Sequence, residues 1–203
     1  MINSINEQSI EFAIDLINNG KIIAYPTDTL YGLAVDPRLD HAVERLCKAK
    51  GRDIGSGLPL IAGDVAQVET FVGQFSDLGR RLADRFWPGP LTLLLTAERS
   101  LVPGVAGGDG SVAVRVPASV VARRLALLVQ HPITATSANR CGMAPASTGM
   151  EVLQAFGSDV AVVVESGAAL TGAPSTIVDA RGTRPKLVRA GVVPWASVLQ
   201  SLA

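Results

Sequence analysis

The chain is a succession of short apolar runs, most of them closed by glycine or proline. Its 203 residues include 20 glycines and 12 prolines, and 48% of the residues are hydrophobic while 4% are aromatic. Glycine and proline mark tight connections because glycine adopts backbone conformations that other residues disfavour, whereas the ring of proline fixes φ at a value that suits turns. The most apolar run, 91–97, is far shorter than the roughly 20 residues that cross a bilayer. The pattern predicts a core of Val, Leu, Ile and Ala joined by short turns and no membrane association.

Segments with helical spacing alternate irregularly with strand-like runs. In the first helical segment, apolar residues recur at Ile10, Ala13, Ile14 and Ile17, and Gly20 follows as a stop. We predict helices over 10–19, 40–50, 65–72, 77–86, 120–129, 148–156 and 193–202, and strands over 21–25, 58–62, 91–96, 112–116, 133–135, 160–164, 176–178 and 187–188. Asp40 and Thr148 are the expected caps of two of these helices. Irregular alternation without a repeat or a long linker predicts a single α/β domain, 1–203, with a mixed sheet.

The charges of the chain balance, with 18 basic and 18 acidic residues. A protein that holds nucleic acid by its phosphates normally presents a basic face. The small basic clusters at 80–85 and 123–124 fall on predicted helices beside acids or apolar residues, which favours solvated helix faces. We therefore expect no tight, autonomous binding to RNA.

Metal sites and covalent nucleophiles lack support in the sequence. Cys47 and Cys141 are too distant for a zinc pattern, and His41 and His131 do not complete one. No Ser/His/Asp order and no reactive cysteine setting points to a covalent hydrolase. Two isolated cysteines and the lack of a signal peptide predict a reducing, cytoplasmic location.

Two polar islands interrupt the apolar pattern, at 50–52 and at 136–139. Lys50 and Arg52 supply two positive charges, and Ser137 and Asn139 supply compact hydroxyl and amide groups. Such groups suit a phosphorylated ligand. However, the helix dipole by itself also favours cations such as Lys50 and Arg52 near a helix C-terminus. The chain has no Walker loop and no GxGxxG pattern, so these cations are the natural phosphate partners if a nucleotide binds.

Other candidate residues each have a structural alternative. The segment 26–33 follows a strand and brings Thr29 to a strand end, where ligands gather, but it also suits a hydrogen-bonded turn. Arg115 lies in an apolar strand, so it must pair either with an acid of the chain or with a ligand anion. Ser175 suits either a ligand site or the capped start of a strand. Arg189 suits either a ligand site or a surface charge.

Taken in order, these segments resemble the YrdC family over roughly 10–191. The motifs are PTDTLYGL, KGR, WPGPLT, VRVP, TSAN, PSTIVD and VRAG. The family signature Lys-x-Arg followed far downstream by Ser-x-Asn corresponds to Lys50, Arg52, Ser137 and Asn139. The chain looks like the short, single-domain TsaC-type branch. The resemblance implies a YrdC-like twisted open mixed β-sheet flanked by helices, with a positively charged concave face.

The same resemblance implies synthesis of L-threonylcarbamoyladenylate and pyrophosphate from L-threonine, bicarbonate and ATP. Lys50 and Arg52 would neutralise the triphosphate, with Mg²⁺ bound through the ATP phosphates and no metal site of the protein's own. The implied contacts to ATP are Lys50, Arg52, Ser56, Ser111, Ser137, Asn139 and Arg189, and those to L-threonine are Thr29, Arg115 and Ser175. The adenylate would pass to a tRNA-modifying complex that forms N6-threonylcarbamoyladenosine.

The chain also departs from the family pattern. Asp53 stands where proline is common, Ser56 where Asn or Lys is usual, Ile61 where many members have histidine, and Cys141 replaces a frequent serine. These differences leave open a non-catalytic paralogue that binds nucleotide or RNA. A carbamoyl-transfer domain of the hydrogenase-maturation type is a further alternative, but those domains sit in longer chains with zinc-finger cysteines.

Overall fold

A computed structural model describes residues 1–97, 101–165 and 172–203. Within them the chain forms eleven strands and seven α-helices. In chain order they are β1 (Ile2–Ser4), α1 (Glu7–Asn18), β2 (Ile22–Pro26), β3 (Tyr31–Ala34), α2 (Asp40–Lys50), β4 (Leu60–Ile61), α3 (Val65–Val72), α4 (Asp77–Phe86), β5 (Leu91–Thr96), β6 (Ser111–Arg115), α5 (Val120–Val129), β7 (Ile133–Thr134), β8 (Thr136–Ser137), α6 (Gly149–Phe156), β9 (Val160–Glu165), β10 (Thr176–Asp179), β11 (Lys186–Arg189) and α7 (Trp195–Gln200). Short 3₁₀ turns lie at Ile54–Ser56 and Gly157–Asp159.

The described strands form two hydrogen-bonded sheets. One has five strands in the order β1-β9-β2-β3-β8, and the other has six in the order β11-β10-β5-β6-β4-β7. Both sheets are mixed, since β2 runs parallel to β9 and antiparallel to β3, and β5 runs parallel to β10 and antiparallel to β6. The predicted α/β class with mixed pairing is confirmed, although the strands are divided between two sheets.

The chain passes from one sheet to the other at Ala135. The preceding strand, β7, pairs with β4 of the six-stranded sheet, and β8, which follows, pairs with β3 of the five-stranded sheet. Main-chain hydrogen bonds fix the crossing on both sides, from Ala135 N to Pro59 O at 2.7 Å and from Ala138 N to Tyr31 O at 2.8 Å. The segment 136–139 therefore lies where the sheets meet.

Two apolar clusters hold these layers together. The larger gathers side chains of both sheets with α2, α3 and α4, and Leu33, Leu46 and Leu82 are fully buried within it. The smaller packs α1 and α5 against β2 and β9, with Ile17 and Leu125 fully buried. Burying a large aliphatic side chain contributes about 1.5–3 kcal/mol, so these clusters supply the main stabilisation of the fold.

The structure differs from the predicted elements at several termini. Helix α1 begins at Glu7, three residues early, because Asn6 and Ser9 form a reciprocal capping box. Asp40 lies in the first turn of α2 and is not its cap, whereas the Thr148 side chain caps α6 as predicted. The last helix spans only Trp195–Gln200 instead of 193–202, since Pro194 precedes it.

The segment 26–33 is a hairpin. The hydroxyl of Thr27 accepts hydrogen bonds from the main-chain N of Thr29 and of Leu30 at 3.1 and 3.2 Å, which forms the predicted turn. The chain then returns as β3, antiparallel to β2. Neither β3 nor β1 was predicted from the sequence.

Candidate active site

A cavity of about 450 Å³ lies where the two sheets meet. Strands β3 and β8 contribute to its walls from one sheet, and β4, β5, β6, β10 and β11 contribute from the other. Its hydroxyl groups belong to Thr27, Thr29, Thr92, Thr136, Ser137 and Ser175, besides that of Tyr31, and its guanidinium groups belong to Arg52, Arg115 and Arg189. None of the described lining residues carries a carboxylate. The volume and the excess of positive charge suit a small anionic ligand.

A larger cavity of about 730 Å³ lies beside α3 and α5. None of the predicted site residues is among its described walls. Its main polar side chains already form hydrogen bonds or ion pairs with other residues of the chain. Arg38 pairs with Asp36, and Gln67 bridges the main chain of Gly63 and Ala126. We therefore assign the candidate active site to the smaller cavity, which gathers six of the predicted residues.

Arg115 forms part of the cavity wall at the end of β6. Its Nη1 donates to Oδ1 of Asp28 at 3.1 Å, and only 6% of the residue is exposed. Burial lowers the pKa of Arg115, and the negative charge of Asp28 partly offsets that effect. The structure thus shows the pairing with an acid of the chain, and the guanidinium also lines the cavity, so the pairing with a ligand anion stays a prediction.

Arg189 approaches the same cavity from the edge strand β11. Its Nε and Nη2 donate to the main-chain oxygen of Ser175 at 3.2 and 2.8 Å, and Nη2 also contacts Ser175 Oγ at 3.1 Å. Burial, followed by the positive charge of Arg115, lowers the pKa of Arg189. The guanidinium groups of Arg115 and Arg189 therefore repel each other across the cavity. A bound anion would relieve this repulsion.

Arg52 enters the cavity from the turn after α2. Its Nη2 donates to the main-chain oxygens of Ser56 and Gly57 at 3.0 and 2.6 Å. Its Nε is buried without a hydrogen-bond partner among the described residues. An unpaired buried donor costs free energy, so a small shift of this side chain toward a ligand oxygen would be favourable.

Lys50 lies behind the 136–139 segment, and it is not among the described residues that line the cavity. Its ammonium group donates to the main-chain oxygens of Ser137 and Asn139, the latter at 2.6 Å. The residue is only 4% exposed. Burial, followed by the positive charge of Arg52, lowers the pKa of Lys50 to about 8.

The remaining predicted residues are distributed unevenly. Thr29 and Ser175 line the cavity, and Thr29 Oγ1 lies 3.0 Å from Thr27 Oγ1. Asn139 is adjacent to the lining residue Ser137, whose hydroxyl donates to Asn139 Oδ1 at 2.6 Å. Ser56 and Ser111 fall outside the described lining; Ser56 contacts Arg52 through its main chain, and Ser111 begins β6 at the end opposite Arg115.

Sequence reasoning missed Thr92 of β5. Its hydroxyl lies 2.8 Å from Ser175 Oγ, inside the cavity wall. The residue belongs to the WPGPLT segment, so membership of a motif was the available signal. The alternation of β5 could not identify it, because only the pairing with β10 brings Thr92 beside Ser175.

In the described parts of the chain, no group of three or more His, Cys, Asp or Glu residues is arranged to hold a metal ion. No described helix combines the length and the apolar character that crossing a membrane requires.

Comparison with known proteins gives a consistent assignment. The Sua5/YciO/YrdC family model, described as "Telomere recombination", matches residues 15–191. The threonylcarbamoyl-AMP synthase of Thiobacillus denitrificans is 40% identical over 163 residues, which are 80% of this chain and 86% of that protein. The threonylcarbamoyl-AMP synthase of Pyrococcus abyssi is 35% identical over 194 residues, 96% of this chain but 57% of the relative's length.

Among solved structures, P. abyssi Sua5 complexed with L-threonine superposes with a TM-score of 0.93 at 32% identity. The match covers 100% of this chain and 61% of that one, so this chain spans less than two thirds of the Pyrococcus protein. The family model covers most of the sequence, and the chain therefore belongs to the Sua5/YciO/YrdC family.

Proposed function

We propose that the chain synthesises L-threonylcarbamoyladenylate and pyrophosphate from L-threonine, bicarbonate and ATP. The observation that carries this proposal is the convergence of Arg52, Arg115 and Arg189 with six serine and threonine hydroxyls in one cavity, with no carboxylate among its described walls. The substrates carry a carboxylate, a carbonate and a triphosphate, so all three bring negative charge to that space. The relatives named threonylcarbamoyl-AMP synthase support the same activity.

We propose that L-threonine binds with its carboxylate on Arg115. Asp28 engages Nη1 of this guanidinium, and the group has five N–H donors in all, so others remain for a ligand. Thr29 and Ser175 would hydrogen-bond the amino acid. The complex of P. abyssi Sua5 with L-threonine supports this substrate.

We propose that ATP lies toward Arg52 and the 136–139 segment. Arg52 and Arg189 would contact the phosphates, and Ser137 and Asn139 would hydrogen-bond the nucleotide. Ser56 and Ser111 would contact parts of ATP that extend beyond the described cavity. Because the described walls offer no carboxylate, Mg²⁺ would bind through the ATP phosphates.

In the proposed reaction the deprotonated amine of threonine forms a carbamate by adding to the carbon of carbon dioxide, with release of a proton, or of bicarbonate, with release of water. A carbamate oxygen then attacks the α-phosphorus of ATP, and the bond from that phosphorus to the bridging oxygen breaks to release pyrophosphate. No covalent bond to the protein is needed. The guanidinium groups orient three anions and stabilise charge as it moves to the leaving pyrophosphate.

The product is an activated mixed anhydride, so it must be used soon after release. We propose that it is handed to a tRNA-modifying complex that forms N6-threonylcarbamoyladenosine, in the cytoplasm. The balanced charge of the chain, 18 basic against 18 acidic residues, supports weak or no direct tRNA binding.

Pyrophosphate release by the purified protein tests the activity. Release that requires ATP, L-threonine and bicarbonate together, with the adenylate detected by mass spectrometry, is the expected result. Binding of ATP without release would instead identify a non-catalytic paralogue and direct attention to Asp53, Ser56 and Ile61.

A further inference from the structure

The ammonium group of Lys50 is enclosed by main-chain oxygens. Lys50 Nζ donates to Ser137 O and to Asn139 O, with Asn139 Oδ1 a further 3.4 Å contact. The main chain of Lys50 also accepts a hydrogen bond from Cys141 N at 2.8 Å. One lysine thus holds both ends of the 137–141 segment.

These contacts occupy the donors that a phosphate would need. An ammonium group has three N–H donors; two of them are used by the main-chain oxygens of Ser137 and Asn139, and Asn139 Oδ1 lies 3.4 Å from Nζ as a partner for the third. Turning Nζ toward the cavity would break both bonds. Ser137 O would keep the main-chain N of Asn139 as a donor at 2.9 Å, but Asn139 O would lose the donor it has among the described residues, which is costly. A compact ammonium also suits two converging carbonyls better than a planar guanidinium does.

We propose that Lys50 is a positioning residue that fixes Ser137 and Asn139 for the nucleotide, and that Arg52 makes the phosphate contact. The identity of the nucleotide rests on the proposed function; the fixing of the segment does not. Gly51 separates the two cations, and its left-handed backbone (φ 65°, ψ 34°) turns the chain between them. Lys50 and Arg52 therefore reach different surroundings although one residue separates them.

The side chains of the segment form one unit with this clamp. Ser137 Oγ donates to Asn139 Oδ1, and Asn139 Nδ2 donates to Met143 O at 2.7 Å. Loss of the ammonium would take a charged donor from the carbonyls of Ser137 and Asn139 and loosen the side chains of these two residues together. Loss of Arg52 would remove a charge from the cavity and leave this unit in place.

Amide hydrogen exchange of the ligand-free protein tests the clamp directly. We expect Lys50→Met to accelerate exchange across 137–146 by at least tenfold, and Arg52→Met, the matched control, to leave these amides within twofold of the wild type. Unchanged exchange in Lys50→Met would overturn the proposal whether or not the protein binds ATP. If the wild type binds no ATP, the proposed function fails, and this measurement still decides the role of Lys50.

Equilibrium affinities for ATP and AMP separate positioning from phosphate contact. Lys50→Met should weaken the binding of ATP and of AMP by a similar factor, about tenfold. The ratio of the two dissociation constants should therefore stay within twofold of the wild-type ratio. Arg52→Met should reduce the preference for ATP over AMP by about tenfold or more, as expected for a lost charged hydrogen bond. An equal loss of that preference in Lys50→Met would make Lys50 a phosphate ligand.

If Lys50→Met does not fold, NMR of the wild-type protein can still test whether the Lys50 ammonium is held by the main-chain oxygens. The chain has only four lysines, so the ¹⁵N-labelled ammonium of Lys50 can be resolved by NMR. A protected ammonium signal in the ligand-free protein, retained when ATP is added, is the expected result. A signal that becomes protected only with ATP would refute the clamp.

Discussion

Arg115 and Asp28 form an ion pair at the wall of the candidate active site, with Nη1 of the arginine 3.1 Å from Oδ1 of the aspartate. Asp28 Oδ2 also accepts a hydrogen bond from the main-chain N of Ala118 at 3.2 Å. The carboxylate is thus fixed between the 26–33 hairpin and the end of β6. It fixes the guanidinium in turn, so Asp28 sets the direction in which Arg115 faces a ligand.

Asp28→Asn should weaken use of L-threonine more than use of ATP. The amide retains one oxygen acceptor but loses the charge that holds Arg115, and a charged hydrogen bond is worth about 1.5–3 kcal/mol. We expect the KM for L-threonine to rise about tenfold and the KM for ATP to stay within about twofold, measured by pyrophosphate release.

A matched control for this substitution is Asp179→Asn. Asp179 pairs with Arg181 at 2.8 Å, and neither residue is among the described walls of the cavity. Equal effects of Asp179→Asn and Asp28→Asn on the KM for threonine would show that general destabilisation, and not the orientation of Arg115, is responsible.

Arg115→Lys tests the planar guanidinium itself. Lysine keeps the positive charge beside Asp28 but cannot offer two parallel donors to a carboxylate. We expect the KM for L-threonine to increase by at least about tenfold, with the apparent affinity for ATP little changed. Isothermal titration with threonine alone checks this independently of turnover, and Arg123→Lys, outside the described cavity walls, is the control. Unaltered threonine affinity would exclude Arg115 from the amino-acid site.

The sequence predicted the long apolar elements well and the short polar ones poorly. Strands such as Leu91–Thr96 are continuous apolar runs, so their identity follows from local composition. The strand Ile2–Ser4 has two polar residues out of three, and it exists because it pairs in parallel with β9, far away in the chain. Nonlocal pairing of this kind leaves no pattern in a single short segment.

For the candidate site, the sequence motifs identified the residues but not where their side chains lie in the fold. Arg52, Arg115, Ser137 and others converge on one cavity, and their place in a motif was enough to propose them. The Lys-x-Arg spacing also suggested two cations side by side at the phosphates; that prediction stays untested, and the enclosure of the Lys50 ammonium by main-chain oxygens favours a positioning role for Lys50 instead. The left-handed backbone of Gly51 and the burial of Lys50 are tertiary properties, and spacing alone does not encode them.

Asp36→Asn should destabilise the fold without altering the candidate active site. Asp36 is 2% exposed and accepts four hydrogen bonds from Arg38 within 3.2 Å, with His131 Nε2 3.4 Å away. Burial acts to raise the pKa of Asp36, but the hydrogen bonds from His131 and Arg38 outweigh it and hold the pKa well below its usual range. The loss should be about 2–3 kcal/mol of unfolding free energy near neutral pH, measured with urea.

The sign of the pH dependence follows from that lowered pKa. Because the folded state binds the proton more weakly, the contribution of Asp36 is present above the ordinary carboxyl pKa and is lost as the pH falls toward the lowered value. The difference between wild type and Asp36→Asn should therefore shrink in acid. Asp84→Asn, at an exposed position of α4, should change stability by less than about 0.5 kcal/mol at any pH. A constant difference between wild type and Asp36→Asn across this range would contradict the assignment.

Lys50 should give a pH dependence of the same sign, but at alkaline pH. Its pKa of about 8 in the folded protein lies below the ordinary value of 10.5, because burial disfavours the charged form. Between these values the unfolded chain binds more protons, so the free energy of unfolding contributed by Lys50 rises with pH through this window. Comparing wild type with Lys50→Met isolates this contribution: the wild type should gain stability relative to the variant as the pH increases from about 8 to about 10.5. A parallel pair of pH profiles would mean that Lys50 has the same pKa in the folded protein and in the unfolded chain, so the hydrogen bonds to Ser137 O and Asn139 O fully offset the cost of burying the ammonium, and the lowered pKa would be refuted.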